Sequence, residues 1–486
     1  MKRAIFTIAF LTIPIWGAAI LILHSTGGFF ETDKTSELIR GSEILISFFE
    51  TFVQSVLSAI LSLLVGSLAA WGMWAKGESQ RRDFIALLPN FLPPLFVILS
   101  SFAMFNPFPF GLSGIVLIHL LMNVGLVAVL FQRKLKEKAS ALFFLITQYG
   151  IPRWSAFSVL VKHFRSDLIQ IFTVVFLFCF SSYSVPLVAS GGRWAGNEVQ
   201  IVQFLKEGQP FSALVLSLLQ VLFLIIVSQL LIAKGAKKLP GEYQMRVWGS
   251  WLRHIPNAIT RLLFFSLVVS LLNTSMSVVP FLRSNHFFLD EMVRTVILGL
   301  ASGLWIFLVL SFVLACDFNL KIGYWINRFP SITTGIAILF LLLVGYELFP
   351  NSRNWFWIAS FPVAITWTFL STLYRMELHS RTIDRSEIFF LAKSFNVPFF
   401  SRLQKVVWPE FGESIGWLSG IGALWTVGDY ALSEALLSSY PNLGRVTYSL
   451  AVSHRSDFAS WILVLILLIG YALIMTFRKI GHVVSS

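Results

Sequence analysis

Two stretches 246 residues apart decide the reading of this chain: QYGIPRWSAFSVLVKHF, from Gln148 to Phe164, and SFNVPFFSRLQKVVWPE, from Ser394 to Glu410. At one constant offset Gly150 meets Asn396, Pro152 meets Pro398, Trp154 meets Phe400, Phe157 meets Leu403 and Val161 meets Val407. Gly and Asn are the residues that most readily take φ > 0 where one helix ends and another begins, and a proline two residues later suits the start of the new helix. The apolar positions that follow fall at i, i+3 and i+7, one stripe of a short amphipathic helix. Each half of the chain is therefore expected to carry a turn and a greasy-faced helix between membrane spans. Such helices either lie on the membrane surface or are gripped by a partner, and their repetition with the same turn chemistry favours the partner.

The surroundings of the two stretches are those of a polytopic membrane protein. Of 486 residues 56% are hydrophobic and only 13% charged, and the mean hydropathy is +0.77, outside the range of soluble domains. Runs long enough to cross ~30 Å of hydrocarbon fall near 4–24, 51–74, 85–105, 115–132, 168–188, 211–233, 258–281, 294–315, 329–349, 355–374, 415–437 and 459–477. The expected fold is all-α, with about twelve spans in two parallel six-helix repeats: residues 1–245, with a loop near 144–165, and 246–486, with a loop near 390–411. The division falls in the polar stretch from Gly235 to Ala258, where Lys237, Lys238, Pro240 and Gly241 read as a linker. Pro93 and Pro94 in FLPPLF should kink or break the third span.

Starting inside and alternating, this layout puts 28 of the 37 Lys and Arg on the cytoplasmic side and nine outside, as the positive-inside rule requires. Both termini are then cytoplasmic, and the net charge of +13 is mostly a topogenic signal with some attraction to anionic lipid. Nucleic-acid binding is not expected, because no basic stripe accompanies a soluble fold. Cys179 and Cys316 form neither a disulfide framework nor a metal cluster. No GxxxxGK[ST] or HExxH pattern occurs, so the sequence predicts no catalytic residue, no metal and no cofactor, and no ATP hydrolysis by this chain itself.

On the two loops and the six-plus-six layout, the chain resembles the fused, double-length permease subunits of type I bacterial ABC importers, of the kind that transport iron(III), thiamine or polyamines. Those permeases carry a loop of pattern E-A-A, three residues, G, nine residues, I-x-L-P. The first copy here keeps Gly150, with Trp154 and Phe157 where aromatics are common, but has Phe144, Leu145 and Ile146 for Glu-Ala-Ala and Lys162-His163 for Leu-Pro. The second keeps Ala392 and Pro409 and has Asn396 for Gly. Phe176 to Trp194 and Trp417 to Leu437, the latter with Gly428-Asp429 after a tryptophan-containing span, are similar to segments of the iron(III), polyamine and thiamine members.

The resemblance implies a membrane pathway in the bacterial inner membrane, driven by separate ATP-binding cassette subunits in two copies and fed by a periplasmic solute-binding protein. It implies ATPase docking through Gly150, Pro152, Trp154, Phe157, Asn396, Pro398, Phe400, Leu403 and Pro409, and a small cation as cargo, thiamine first and then iron(III) or polyamine. Asp429, Tyr183 and Trp425 are the candidate pathway residues. Asp429 and Glu434 fall within the eleventh expected span, where a carboxylate either serves the cargo or sits at the outer interface. The alternative class is an ion-coupled secondary transporter, which also uses twelve spans in two repeats but would carry more intramembrane acids.

Overall fold

The computed structural model describes residues 40–74, 80–149, 153–228, 250–284, 288–316, 334–348, 353–437, 441–453 and 455–486, with 13–15, 17, 18, 20, 323 and 326 besides. Every regular element among them is helical. In chain order these are α1 Gly41–Trp74, α2 Gln80–Phe91, α3 Pro94–Met104, α4 Leu112–Gln148, α5 Arg153–Phe180, α6 Ser184–Ala189, α7 Asn197–Lys206 and α8 Pro210–Ser228. After the short 3-10 turn Ser250–Arg253 come α9 His254–Ser284, α10 Phe288–Cys316, α11 Thr334–Leu348 and α12 Arg353–Leu373. A π-helical turn, Tyr374–Leu378, leads to α13 His379–Asp384, α14 Ser386–Ser394 and α15 Phe399–Arg402. A second π-helical turn, Leu403–Val407, continues into α16 Trp408–Gly428, followed by α17 Ala431–Leu436, α18 Leu443–Val452 and α19 Ser456–Ser485.

Among the described residues eight helical stretches are long and apolar enough to cross a membrane. A ninth arises if α2 and α3, bent by 96° at their junction, count as one span. The bend sits at Pro93-Pro94, where a proline ring removes a helical donor and clashes with the preceding turn, and Pro94 opens α3. Of the twelve expected spans, 4–24 lies mostly outside the described residues, and 329–349 is represented by the shorter apolar stretch Thr334–Gly345. Two others end early. The helix expected over 168–188 stops at Phe180, because Pro186 cannot donate to the residue four before it. The helix expected over 415–437 stops at Gly428, where Asp429 adopts an extended ψ of 119° and its Oδ2 accepts the Leu432 N–H at 2.8 Å. A short acidic side chain that can satisfy the next helix's first turn competes with helix continuation. Asp429 therefore lies at a helix break and Glu434 in the next helix, not inside one continuous span.

Helix bounds recur at the offset seen in the sequence. Ser394 ends α14 246 residues after Gln148 ends α4, Phe399 opens α15 246 after Arg153 opens α5, and α18 copies both ends of α7 at the same distance. Compactness does not follow chain order. One unit comprises Met1–Phe48, Ala195–Ile225 and Leu271–Ser486, the other Phe49–Trp194 and Ile226–Ser270.

Within the first unit α16 is buried along almost its whole length, and Gly412, Gly416 and Gly420 put one small residue on each successive turn. A Cβ on Gly416 would overlap the Phe477 carbonyl oxygen and come within 2.8 Å of the Gly481 Cα. The backbones of α16 and α19 touch there. Lipid is as apolar as leucine, so membrane helices gain by such close approach. By contrast α10 keeps Leu289, Val293, Ile297, Leu300, Leu304 and Leu308 exposed at helical spacing, the outward stripe expected of a lipid-facing span. In the second unit Ala69, Met73, Ala86, Ala128 and Val129 form the core between α1, α2 and α4.

Candidate functional site

The site is the elbow from α14 to the start of α16. On α14, SEIFFLAKS, Phe389 and Ala392 turn inward at three-residue spacing, and Phe389 meets Phe411 with ring centroids 5.6 Å apart. Their neighbours Phe390, Leu391 and Phe395 face out, Phe390 at 67% and Phe395 at 78% exposure. Past the turn Phe400 is 74% exposed. Four large apolar side chains within eleven residues are thus exposed, Phe400 resting on Phe399 at 5.4 Å.

A tight turn joins α14 to α15 between them. Asn396 has φ +48°. The Asn396 N–H donates to the Lys393 carbonyl and the Val397 N–H to the Ala392 carbonyl, each at 3.0 Å. This pair of bonds is the Schellman closure of a helix C-terminus, which requires a left-handed residue at that position. Pro398, at φ −60° and ψ 155°, then starts α15, and its carbonyl accepts the Arg402 N–H. Asn396→Gly should leave the elbow intact, whereas Asn396→Val forces a β-branched residue into φ > 0 at a cost of about 1–3 kcal/mol. Hydrogen exchange over residues 386–402 reads the difference: faster exchange in the valine variant alone is expected, and equal protection in both would remove the role given to the turn.

Arg402 anchors the elbow from beneath. It is only 1% exposed; its guanidinium donates to the Val397 carbonyl at 2.8 Å and to the Ala315 carbonyl at the end of α10. A buried arginine is tolerated when it answers otherwise unsatisfied carbonyls, here one at the elbow and one at the C-terminus of a span. Phe399 adds an apolar contact to the same span, 5.6 Å from Phe312.

The stripe expected through Phe400, Leu403 and Val407 does not lie on one face. The helix that begins at Phe399 is not short: it runs through the π-helical turn Leu403–Val407 into α16. The wider turn shifts the register, so Phe400 is exposed while Val407 is fully buried. Leu403 is half-buried, and Pro398 and Pro409 are exposed. In the first copy α4 ends at Gln148 and α5 begins at Arg153; Gly150 and Pro152, and the side chains of Trp154 and Phe157, lie outside the described residues.

Of the three pathway candidates, two belong to one unit and one to the other. Trp425 packs its ring on Phe369, centroids 4.6 Å apart, and Asp429 follows it at the break after α16 in the same unit. Tyr183 is buried before α6 in the other unit. Glu434 pairs with Arg445 at 2.7 Å and lies 3.9 Å from Lys206. Sequence reasoning missed the outward role of Phe390 and Phe395 and the burial of Arg402. The first was legible, since a helix showing aromatics at both 389 and 390 must expose one; the second had no signal beyond a cation one turn into a helix. Among the described residues no group of three His, Cys, Asp or Glu is placed to hold a metal.

Over 96% of its length the chain is similar, at 24% identity, to the thiamine transport system permease protein of Haemophilus influenzae, 94% of which is covered. The proteins of the same description from Escherichia coli and Salmonella typhimurium match over 39% and 37% of the chain, at 26% and 24% identity. No family model matches, and no solved structure does. Similarity to a thiamine transport permease along nearly the whole chain thus accompanies an all-helical frame with eight or nine candidate membrane spans among the described residues.

Proposed function

We propose that the chain imports thiamine across the bacterial inner membrane, with ATP hydrolysed by two separate cassette subunits and thiamine delivered by a periplasmic binding protein. Thiamine is named in all three relatives, and it is an aromatic cation. Asp429, Trp425 and Tyr183 are the anionic and aromatic groups a pathway for such a cargo would use. Residues 1–245 and 246–486 are two diverged repeats, each offering one docking loop to one ATPase. The observation that carries the docking is the outward set Phe390, Leu391, Phe395 and Phe400 on an elbow whose own geometry is fixed. In this reading the groove that receives it is apolar, since the acidic residue common at that loop's start is Phe390. The first loop contributes Gly150, Pro152, Trp154 and Phe157, the second Asn396, Pro398, Phe400, Leu403 and Pro409.

Affinity purification of the full chain from its own host tests this. A cassette ATPase should come with it, and the chain alone should show no ATP turnover; turnover by the isolated chain, or a chain that purifies without an ATPase, contradicts the proposal.

The orientation has its own test. Lys393 is exposed at the elbow, and the native Cys179 and Cys316 are buried. A Lys393→Cys variant should react with a membrane-impermeant maleimide in inverted vesicles and stay unlabelled in intact cells. Labelling from outside the cell would reverse the topology. Arg402, being buried, cannot serve as the reporter.

A further inference from the structure

Apart from the elbow, three helices bring polar ends together around a cleft of about 250 Å3 lined by Glu377, Arg381, Glu413, Ser414, Trp417 and Arg478. Glu377 lies where the apolar stretch Phe356–Leu378 stops, Arg478 follows the last apolar run of α19, and Glu413 to Trp417 lie in the first half of α16. The cleft is therefore at the edge of the hydrocarbon, the level where tryptophan and arginine favour lipid headgroups.

Its charges are balanced and loosely held. Arg381 Nε lies 3.0 Å from Glu377 Oε1, which also accepts the Ser414 hydroxyl at 2.7 Å. Arg478 stands 3.8 Å from Glu413, both side chains 55% exposed. Solvent-exposed ion pairs of this kind contribute little, so a ligand that brings its own anion and its own cation displaces them cheaply. A phosphate suits the two guanidiniums, which grip it bidentately; an ammonium suits the carboxylates. A purely anionic ligand would leave the glutamates facing phosphate, and a purely cationic one would leave the arginines unmatched.

We propose that this cleft binds an amine-and-phosphate zwitterion, supplied by the phosphoethanolamine headgroup of a membrane lipid whose chains run down beside α16 and α19. The site rests on the chain's being a membrane protein and is independent of the docking role of the elbow.

The test is native mass spectrometry of the full chain purified from an equimolar mixture of phosphatidylethanolamine and phosphatidylglycerol. Wild type should retain phosphatidylethanolamine selectively through delipidating washes, and Arg381→Gln with Arg478→Gln should lower that retention roughly tenfold. Glu413→Gln should move the preference toward phosphatidylglycerol, a shift that misfolding would not produce. Equal retention by the double variant, or no preference between the two lipids in wild type, overturns the proposal. Glycerophosphoethanolamine, the headgroup without acyl chains, separates the sources: weak or absent calorimetric binding to the lipid-stripped chain fits a lipid site. Saturable binding of it below 1 mM (an order-of-magnitude threshold, roughly 4 kcal/mol of binding free energy) with no phospholipid retained would assign the cleft to a soluble zwitterion instead and overturn the lipid assignment.

Discussion

A chain carrying Phe390→Ala, Phe395→Ala and Phe400→Ala together should reach the membrane in normal amount, purify without an ATPase and fail to transport. The three side chains are between two-thirds and four-fifths exposed, so their removal costs the fold little; surface substitutions usually stay within about 0.5 kcal/mol. At an interface the same atoms count differently. An aromatic anchor seated in a partner's groove costs about 2 kcal/mol or more when truncated, so loss of even one weakens binding roughly 30-fold, and three together should release the partner. Phe389→Ala is the informative contrast, since that ring is buried against Phe411 and its loss should lower stability first. A triple variant that keeps its ATPase at wild-type stoichiometry and transports normally would reduce the elbow to a helix pair lying on the membrane.

Gly416→Leu should be strongly destabilising. The added atoms would meet the Phe477 carbonyl and the Gly481 backbone, and backbone atoms cannot rotate aside. Overpacking of this kind costs about 1–3 kcal/mol or more even where side chains can yield. Relief requires α16 and α19 to separate, which also loosens the neighbouring contacts at Gly412 and Gly420. Gly41→Ala, where nothing lies within 4 Å of the new Cβ, is the matched control. Thermal unfolding of the detergent-solubilised chain should show a large drop in Tm for the first and none for the second. Equal Tm values would mean that the two helices do not approach as described.

The all-helical class and the proline break were legible because each depends on local chemistry: a run of apolar side chains, a missing donor. Asn396 takes its left-handed conformation for a reason visible in the sequence alone. The end of the eleventh span was not legible, since hydropathy continues through Ala431 and Leu432; what stops the helix is the Asp429 carboxylate reaching the Leu432 N–H, a competition that hydropathy does not register. Nor did periodicity show that Phe400 and Val407 part company, because a stripe counted at 3.6 residues per turn assumes a regular helix and the π-helical turn at Leu403–Val407 adds a residue. Likewise α16 is poorer in large apolar residues than a lipid-facing span, because it is buried against α19 and α10 and its glycines are contacts rather than interruptions.

The most direct test of the account is uptake by proteoliposomes that contain this chain with its co-purified ATPase. The account predicts accumulation of labelled thiamine that requires ATP on the elbow side and the binding protein on the other, and that persists when proton and sodium gradients are collapsed. Accumulation without ATP, driven by an ion gradient, would contradict it.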